Sequence, residues 1–196
     1  MRIFQIIFLP DVYQSLCQKD ENLNALRICP KGTSRQEIWP ARLELEVTEP
    51  SWPRGIFLEW SADEFVLTKE AQADKVLVQM LEVDGEFLPV MVDGEPMSLH
   101  NVTRFANCVD QKRSKWGATI GNVPGRIEYP RFLAEKVPLG IQFRIPEFRV
   151  PRYVATDPSL PPEKDFYQWY HQQGYKGLKF RLLWDSEKPD ELIRFY

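Results

Sequence analysis

The feature that most constrains this chain is a period of two in its apolar residues. From Arg42 to Thr48, Leu43, Leu45 and Val47 take one side, and Arg42, Glu44, Glu46 and Thr48 take the other. Ile141, Phe143 and Ile145 alternate with Gln142 and Arg144 until Pro146 stops the run, and Leu178, Phe180, Leu182 and Trp184 alternate with Lys179, Arg181 and Asp185. Only Leu183 is off pattern. Successive side chains on a strand point to opposite faces, so each segment has one core face and one wet face. A parallel sheet buried on both sides reads as continuous apolar runs, so the alternation points to antiparallel pairing. The stretch from Met1 to Pro10 is nearly all apolar, but Gln5 interrupts it and Asp11 follows with no small-residue cleavage site. It reads as a first buried strand, not a secretion signal.

Helical spacing appears in two places. Ala73, Val76, Leu77 and Met80 form one stripe after Thr68, which can cap the free amides of a first turn. A second helix is expected from Pro162 to Gln173, with Phe166, Trp169 and Tyr170 on one face and Gly174 as its stop. The stretch from Thr103 to Lys115 fits helix and strand equally. Val-Asp-Gly-Glu occurs at Val83 to Glu86 and again at Val92 to Glu95, and Asp-Gly is the chemistry of a tight hairpin. The expected class is therefore α+β: mainly antiparallel sheet, with two or three helices packed on one side. At 196 residues, one domain spanning 1–196 is the default, with residues 1–60 at most an N-terminal subdomain hinged at Pro50-Ser51-Trp52-Pro53.

Charge and cysteine usage then limit the partners. The balance of 25 Lys plus Arg against 28 Asp plus Glu gives a net charge of −3. The densest basic run is Lys112-Arg113-Ser114-Lys115. Neutralising several phosphates needs a clustered basic face, so a dedicated nucleic-acid binder is disfavoured. No run approaches the roughly 20 apolar residues of a membrane helix. Cys17, Cys29 and Cys108 are odd in number and contain no C-x-x-C, which fits reduced thiols in a cytoplasmic protein better than a disulfide framework or a zinc site.

Catalytic signatures are sparse. The two histidines are His100 and His171. Ser98 or Cys108 would have to serve as a nucleophile for His100, yet no G-x-S-x-G elbow presents one. No metal-binding spacing occurs, and the glycine cluster from Gly117 to Gly125 lacks the G-K-[ST] ending of a phosphate loop. No catalytic, cofactor or metal residue is therefore assigned. Surface features remain: Glu44, Glu46 and Glu49 form an acidic strand edge beside Trp52, and charge-flanked aromatics suit binding hot spots. Six Trp, seven Tyr and twelve Phe make the chain rich in aromatics. Many fall on expected core faces, which leaves Trp39, Trp52, Trp60 and Trp116, in or beside loops, for a partner. Glu44, Glu46, Glu49, Trp52 and Trp116 are the candidate partner-binding residues.

Several longer stretches carry a resemblance. They are Ser61 to Thr68, Glu86-Phe87-Leu88-Pro89-Val90, and Ser98-Leu99-His100-Asn101-Val102 followed by Cys108-Val109-Asp110 and Lys112 to Trp116. Further on come Phe143-Arg144-Ile145-Pro146-Glu147, Tyr153-Val154-Ala155-Thr156-Asp157, and Gly174-Tyr175-Lys176-Gly177-Leu178-Lys179-Phe180 with Trp184-Asp185. Over about residues 60–186 these segments resemble the Myxococcus-type immunity proteins, bacterial antidotes often encoded beside polymorphic or contact-delivered toxins. The sequence departs from that pattern at His100 and in the loop from Gly117 to Tyr129. The resemblance implies a non-enzymatic cytoplasmic protein that binds a cognate toxin domain, in some cases a nuclease, encoded by a neighbouring gene, and blocks its active site or a needed movement. The alternatives are a small enzyme with an acid/base site near His100, Asp110 and Lys112, or a structural adaptor of a secretion system.

Overall fold

A computed structural model of the chain describes residues 1–9, 11–18, 33–40, 43–61, 64–118, 125–148, 152–191 and 193–194. Two sheets carry the architecture. The first strand, β1 (Arg2–Phe8), lies inside a four-stranded sheet between β11 (Tyr153–Thr156) and β12 (Leu178–Asp185), with β10 (Gln142–Phe143) outside β11. All pairings in this sheet are antiparallel. The second sheet has six strands: β2 (Leu16–Gln18), β3 (Glu44–Val47), β4 (Phe57–Ser61), β5 (Glu64–Leu67), β6 (Gly85–Val92) and β7 (Glu95–Val102), in the order β2-β3-β6-β7-β5-β4. Its strands pair antiparallel except β3 with β6. A short ribbon of β8 (Lys115–Trp116) and β9 (Ile127–Tyr129) stands apart from both sheets. The described residues among the first 60 thus supply strands to both sheets.

The sheets share one apolar core, and the helices line it. Phe4, Ile6 and Phe8 of β1 meet Phe57, Phe65 and Leu67 of β4 and β5, joined by Leu77, Met80, Leu81, Phe166 and Tyr170 from the helices. The Phe8 and Phe65 rings lie 5.6 Å apart across it. Ile3, Tyr153, Ala155, Leu183 and Trp184 on the other face of the four-stranded sheet pack under the loops that carry Cys108, Phe132 and Phe148. Leu43, Leu45, Leu58, Val66, Val90 and Leu99 form a third cluster on the far face of the six-stranded sheet. The mixture is α+β with antiparallel sheets dominant, as the alternation implies.

Local chemistry explains the departures from expectation. The first helix is broken in two: α1 (Lys69–Ala73), capped by Thr68, and α2 (Lys75–Asp84), capped by Asp74. Asp74 adopts extended backbone and accepts from the amides of Val76 and Leu77, which restarts the helix and shifts its phase. Ala73 is consequently exposed while Leu81 is buried. Pro162–Lys164 form a 3-10 turn before α3 (Phe166–Gln172), whose cap is Asp165, and Gly174 ends it with a φ of 68°. The second Asp-Gly pair makes the β6–β7 hairpin, where Asp93 and Gly94 have φ values of 48° and 83°. The first pair makes no turn, because Asp84 ends α2 and Gly85 begins β6. Glycine is required there by crowding: a Cβ on Gly85 would lie 2.3 Å from the Asn101 carbonyl oxygen and 2.6 Å from His100 Nε2.

The off-pattern Leu183 marks an irregularity in β12. Ile3 pairs with Trp184 and Phe4 with Leu182, so Leu183 is an extra residue between them. It turns Leu183 and Trp184 together to one face, while Leu178 joins the core on the other. The stretch from Thr103 to Lys115 is neither helix nor strand, apart from single bridges at Phe105 and Val109 and the start of β8. The centre of the glycine cluster, residues 119–124, and Cys29 lie outside the described residues. No helix among the described residues is long and apolar enough to cross a membrane.

Candidate partner-binding site

The acidic segment is held by strand alternation. Leu45 points into the third cluster, fully buried, and this places Glu44 and Glu46 together on the opposite face of β3. They are not on an edge, since β3 runs between β2 and β6, with Glu46 opposite Cys17 and Glu44 opposite Met91. The Cys17 thiol donates to Glu46 Oε1 at 3.5 Å. Burial, then that hydrogen bond, then the charges of Glu46 and Asp93 push the thiol pKa above its ordinary 9.0. The thiol thus senses a negative local field. Beyond β3 the chain turns at Glu49, whose carbonyl oxygen accepts from Trp52 N at 3.0 Å. Gln14 Nε2 clamps that turn through the carbonyl oxygens of Pro50 and Trp52, both at 3.0 Å. Glu46 and Glu49 are exposed, and Glu44 and Trp52 are half-buried.

Trp116 does not belong to this segment. It lies on β8, 39% exposed, with Nε1 donating to the Gln111 carbonyl oxygen at 3.2 Å. Its chain neighbours are basic: Lys112, Arg113 and Lys115, the last 5.9 Å from the centre of the Tyr129 ring. Trp39 and Trp60 are also not free anchors. Their rings meet edge to face at 6.3 Å against the third cluster, and Trp39 Nε1 donates to the Pro89 carbonyl oxygen at 2.7 Å.

A buried polar network joins the two sheets, and the alternation hides it. Gln142 and Arg144, expected on a wet face, are buried, as are Asp84, His100, Asn101 and Arg152. Arg152 Nη1 donates to Gln142 Oε1 at 3.0 Å and lies 3.2 Å from His100 Nδ1, and Nη2 donates to the His100 carbonyl oxygen. The guanidinium carbon sits 3.8 Å from the centre of the Phe65 ring. Asp84 Oδ2 accepts from Gln142 N at 2.9 Å. His100 Nε2 is 3.0 Å from both the Leu81 carbonyl oxygen and Asp84 Oδ1. Its single hydrogen aligns with Leu81, so Asp84 Oδ1 has no well-aligned donor among the described residues. Arg144 Nε donates to the Val102 carbonyl oxygen at 2.6 Å, and Asn101 Nδ2 donates to Glu86 Oε1 at 2.8 Å. Arg35 continues the chain, donating through its amide to Glu86 Oε1 at 2.7 Å and pairing with Glu64.

This geometry fixes the state of His100. Burial lowers its pKa below the ordinary 6.5 and Arg152 adds to that, against the raising influence of Asp84. A neutral ring with hydrogen on Nε2 donates to the Leu81 carbonyl oxygen and leaves Nδ1 to accept from Arg152. An aspartate touching a histidine matches the orienting half of a catalytic triad in arrangement only. The nitrogen that would act as base is covered by Arg152, itself 1% exposed. Asp110 and Lys112 are not the groups brought to His100: the Asp110 carboxyl accepts from the amides of Lys112 and Arg113, closing its own turn. Cys108 is buried, which pushes its thiol up to about 12. Among the described residues no group of His, Cys, Asp and Glu side chains could hold a metal ion.

No sequence signal separates a buried arginine from an exposed one, and Arg152 stands on no periodic segment. The chain matches no protein-family model, and no curated protein matches it.

Proposed function

We propose that this chain is an immunity protein, a non-enzymatic cytoplasmic antidote that binds a cognate toxin domain encoded by a neighbouring gene. The observation that carries the reading is the acidic face of β3, with Glu44 and Glu46 side by side and Glu49 and Trp52 at its end. Carboxylates on a strand followed by a turn with a half-buried aromatic suit a basic partner: the charges speed encounter and the ring supplies contact area. A nuclease domain, basic where it holds nucleic acid, is the class of toxin such a face complements. The resemblance over residues 60–186 supports the same reading from a different part of the chain.

The test is co-expression with the neighbouring toxin, followed by association kinetics of the purified pair. Protection is expected with the wild-type chain. Replacing Glu44 and Glu46 by Gln should slow association roughly tenfold at low salt and less at high salt, with dissociation little changed. A toxin that fails to bind the purified protein refutes the proposal, and a salt-independent association rate refutes the role of this face.

A further inference from the structure

We propose that a recess at the end of the four-stranded sheet receives an arginine side chain of a protein partner. The recess has a volume of about 160 Å³, and Arg2, Phe4, Pro158, Tyr167, Asp185 and Glu187 are among the residues that line it. At about 30 Å³ per water, it has room for about five water-sized groups, which suits one long side chain. Phe4 and Tyr167 are stacked, 4.5 Å apart and 8° from parallel. The edges of His171 and Phe180 hold the Tyr167 ring at 4.5 and 5.0 Å. The wall is therefore aromatic and braced.

The charge of the rim selects the occupant. Two cations, the Met1 ammonium and Arg2, and two carboxylates, Asp185 and Glu187, line it, and the ammonium is paired with Asp157 at 3.5 Å. Asp185 is engaged on both oxygens: Oδ2 accepts from Arg2 Nε at 2.9 Å and Oδ1 from Glu187 N at 2.9 Å. The exposed Glu187 carboxylate is in no ion pair among the described residues, so one negative charge is left beside aromatic rings. A guanidinium group answers both features, lying flat against a ring and bonding a carboxylate through its fork. Its stem would cover the apolar wall of Phe4 and Pro158. This inference does not depend on the toxin reading, because the acidic face belongs to the other sheet.

The test is an NMR titration of the full-length 15N-labelled protein with N-acetyl-arginine amide and with N-acetyl-citrulline amide, which has nearly the same shape without the charge. The arginine probe should give saturable shifts at the amides of Phe4, Tyr167, Asp185 and Glu187, with the citrulline probe about fivefold weaker or worse. Glu187→Gln should weaken the arginine probe about two- to fivefold, as an exposed ion pair allows, and leave the citrulline probe unchanged. Equal binding of the two probes, shifts confined to other residues, or an arginine-probe affinity that Glu187→Gln leaves unchanged overturns the proposal.

Discussion

Replacing Arg152 by Ala should be among the most destabilising single changes in this chain. The side chain is 1% exposed, and among the described residues its guanidinium touches the His100 ring, the His100 carbonyl oxygen, Gln142 Oε1 and the Phe65 ring. Truncation leaves the first three without their donor, and each buried unsatisfied group costs about 1–3 kcal/mol. The guanidinium also takes its own desolvation penalty with it, so the three losses do not simply add. The expected net loss is about 3–5 kcal/mol, the range for breaking a buried charged contact. Against a total stability of about 5–15 kcal/mol, that is a large fraction. For a chain of this size each kcal/mol moves the melting temperature by about 2–4 °C, so a fall of roughly 6–20 °C should follow.

Urea unfolding followed by tryptophan fluorescence measures this directly, with the m-value checked for constancy. Arg152→Lys is the informative companion. It keeps a charge but lacks the planar fork, so it should recover only part of the loss. A double-mutant cycle of Arg152→Met with Gln142→Met should return a coupling of about 0.5–3 kcal/mol, since the two side chains are bonded at 3.0 Å. If Arg152→Ala costs less than about 1 kcal/mol, or Arg152→Lys is as stable as wild type, the guanidinium is not the tie between the sheets that its contacts describe.

Two further perturbations follow from the same structure. Asp74→Ala removes the cap of α2 and the acceptor for Trp169 Nε1 at 2.7 Å and Tyr175 Oη at 2.6 Å. A loss of about 2–4 kcal/mol is expected in urea unfolding, and Asp74→Asn should be intermediate; equal stability of Asp74→Ala and wild type would refute the hub. The pH dependence has a defined sign. Because the folded pKa of His100 is depressed, the unfolded chain takes up the proton first, so stability is complete above about pH 6.5 and declines as pH falls below it. Glu59, raised above 4.5 by burial and then by Asp11, works in the opposite direction, favouring the folded state as pH falls towards its raised pKa. Asp74, Asp157 and Asp185, held below 3.8, add their losses only further down. His100→Gln should therefore flatten the decline between about pH 5 and 6.5, measured as melting temperature against pH; an unchanged slope would refute the assignment.

The alternation is legible in the sequence because a sheet with one wet face writes its burial into every second residue. It holds for β3 and for most of the β6–β7 hairpin, whose Asp-Gly chemistry is local, whereas β1 is buried on both faces. It fails where burial is set by distant segments. Gln142 and Arg144 look like a wet face, yet α2 and β7 bring Asp84, Asn101 and Val102 against them. The helix break at Asp74 is hidden because the apolar spacing continues through it, and only the tertiary partners Trp169 and Tyr175 show why an aspartate stands there. Of the five candidate partner residues, the four around β3 are grouped by the chain itself. Trp116 joins them by residue type alone, and the structure assigns it to a separate ribbon.

The buried network bears on the candidate surfaces even though it touches neither. Arg152 precedes β11 and Gln142 lies on β10, both in the four-stranded sheet, whereas His100 and Asn101 lie on β7 in the six-stranded sheet. Asp84 joins them at the end of α2. Apolar packing between two sheets is nearly non-directional and tolerates sliding, whereas hydrogen bonds at 2.6–3.2 Å from guanidinium groups fix both distance and angle. Buried polar ties are often a poor source of net stability, and their best-attested use is to select one arrangement among several. Here the arrangement selected is the position of one sheet against the other. The acidic face rides on the six-stranded sheet and the aromatic recess on the four-stranded one. A partner that used both would meet them at a spacing set by Arg152, His100 and Gln142, so loosening the network should weaken such two-point binding before it unfolds either sheet.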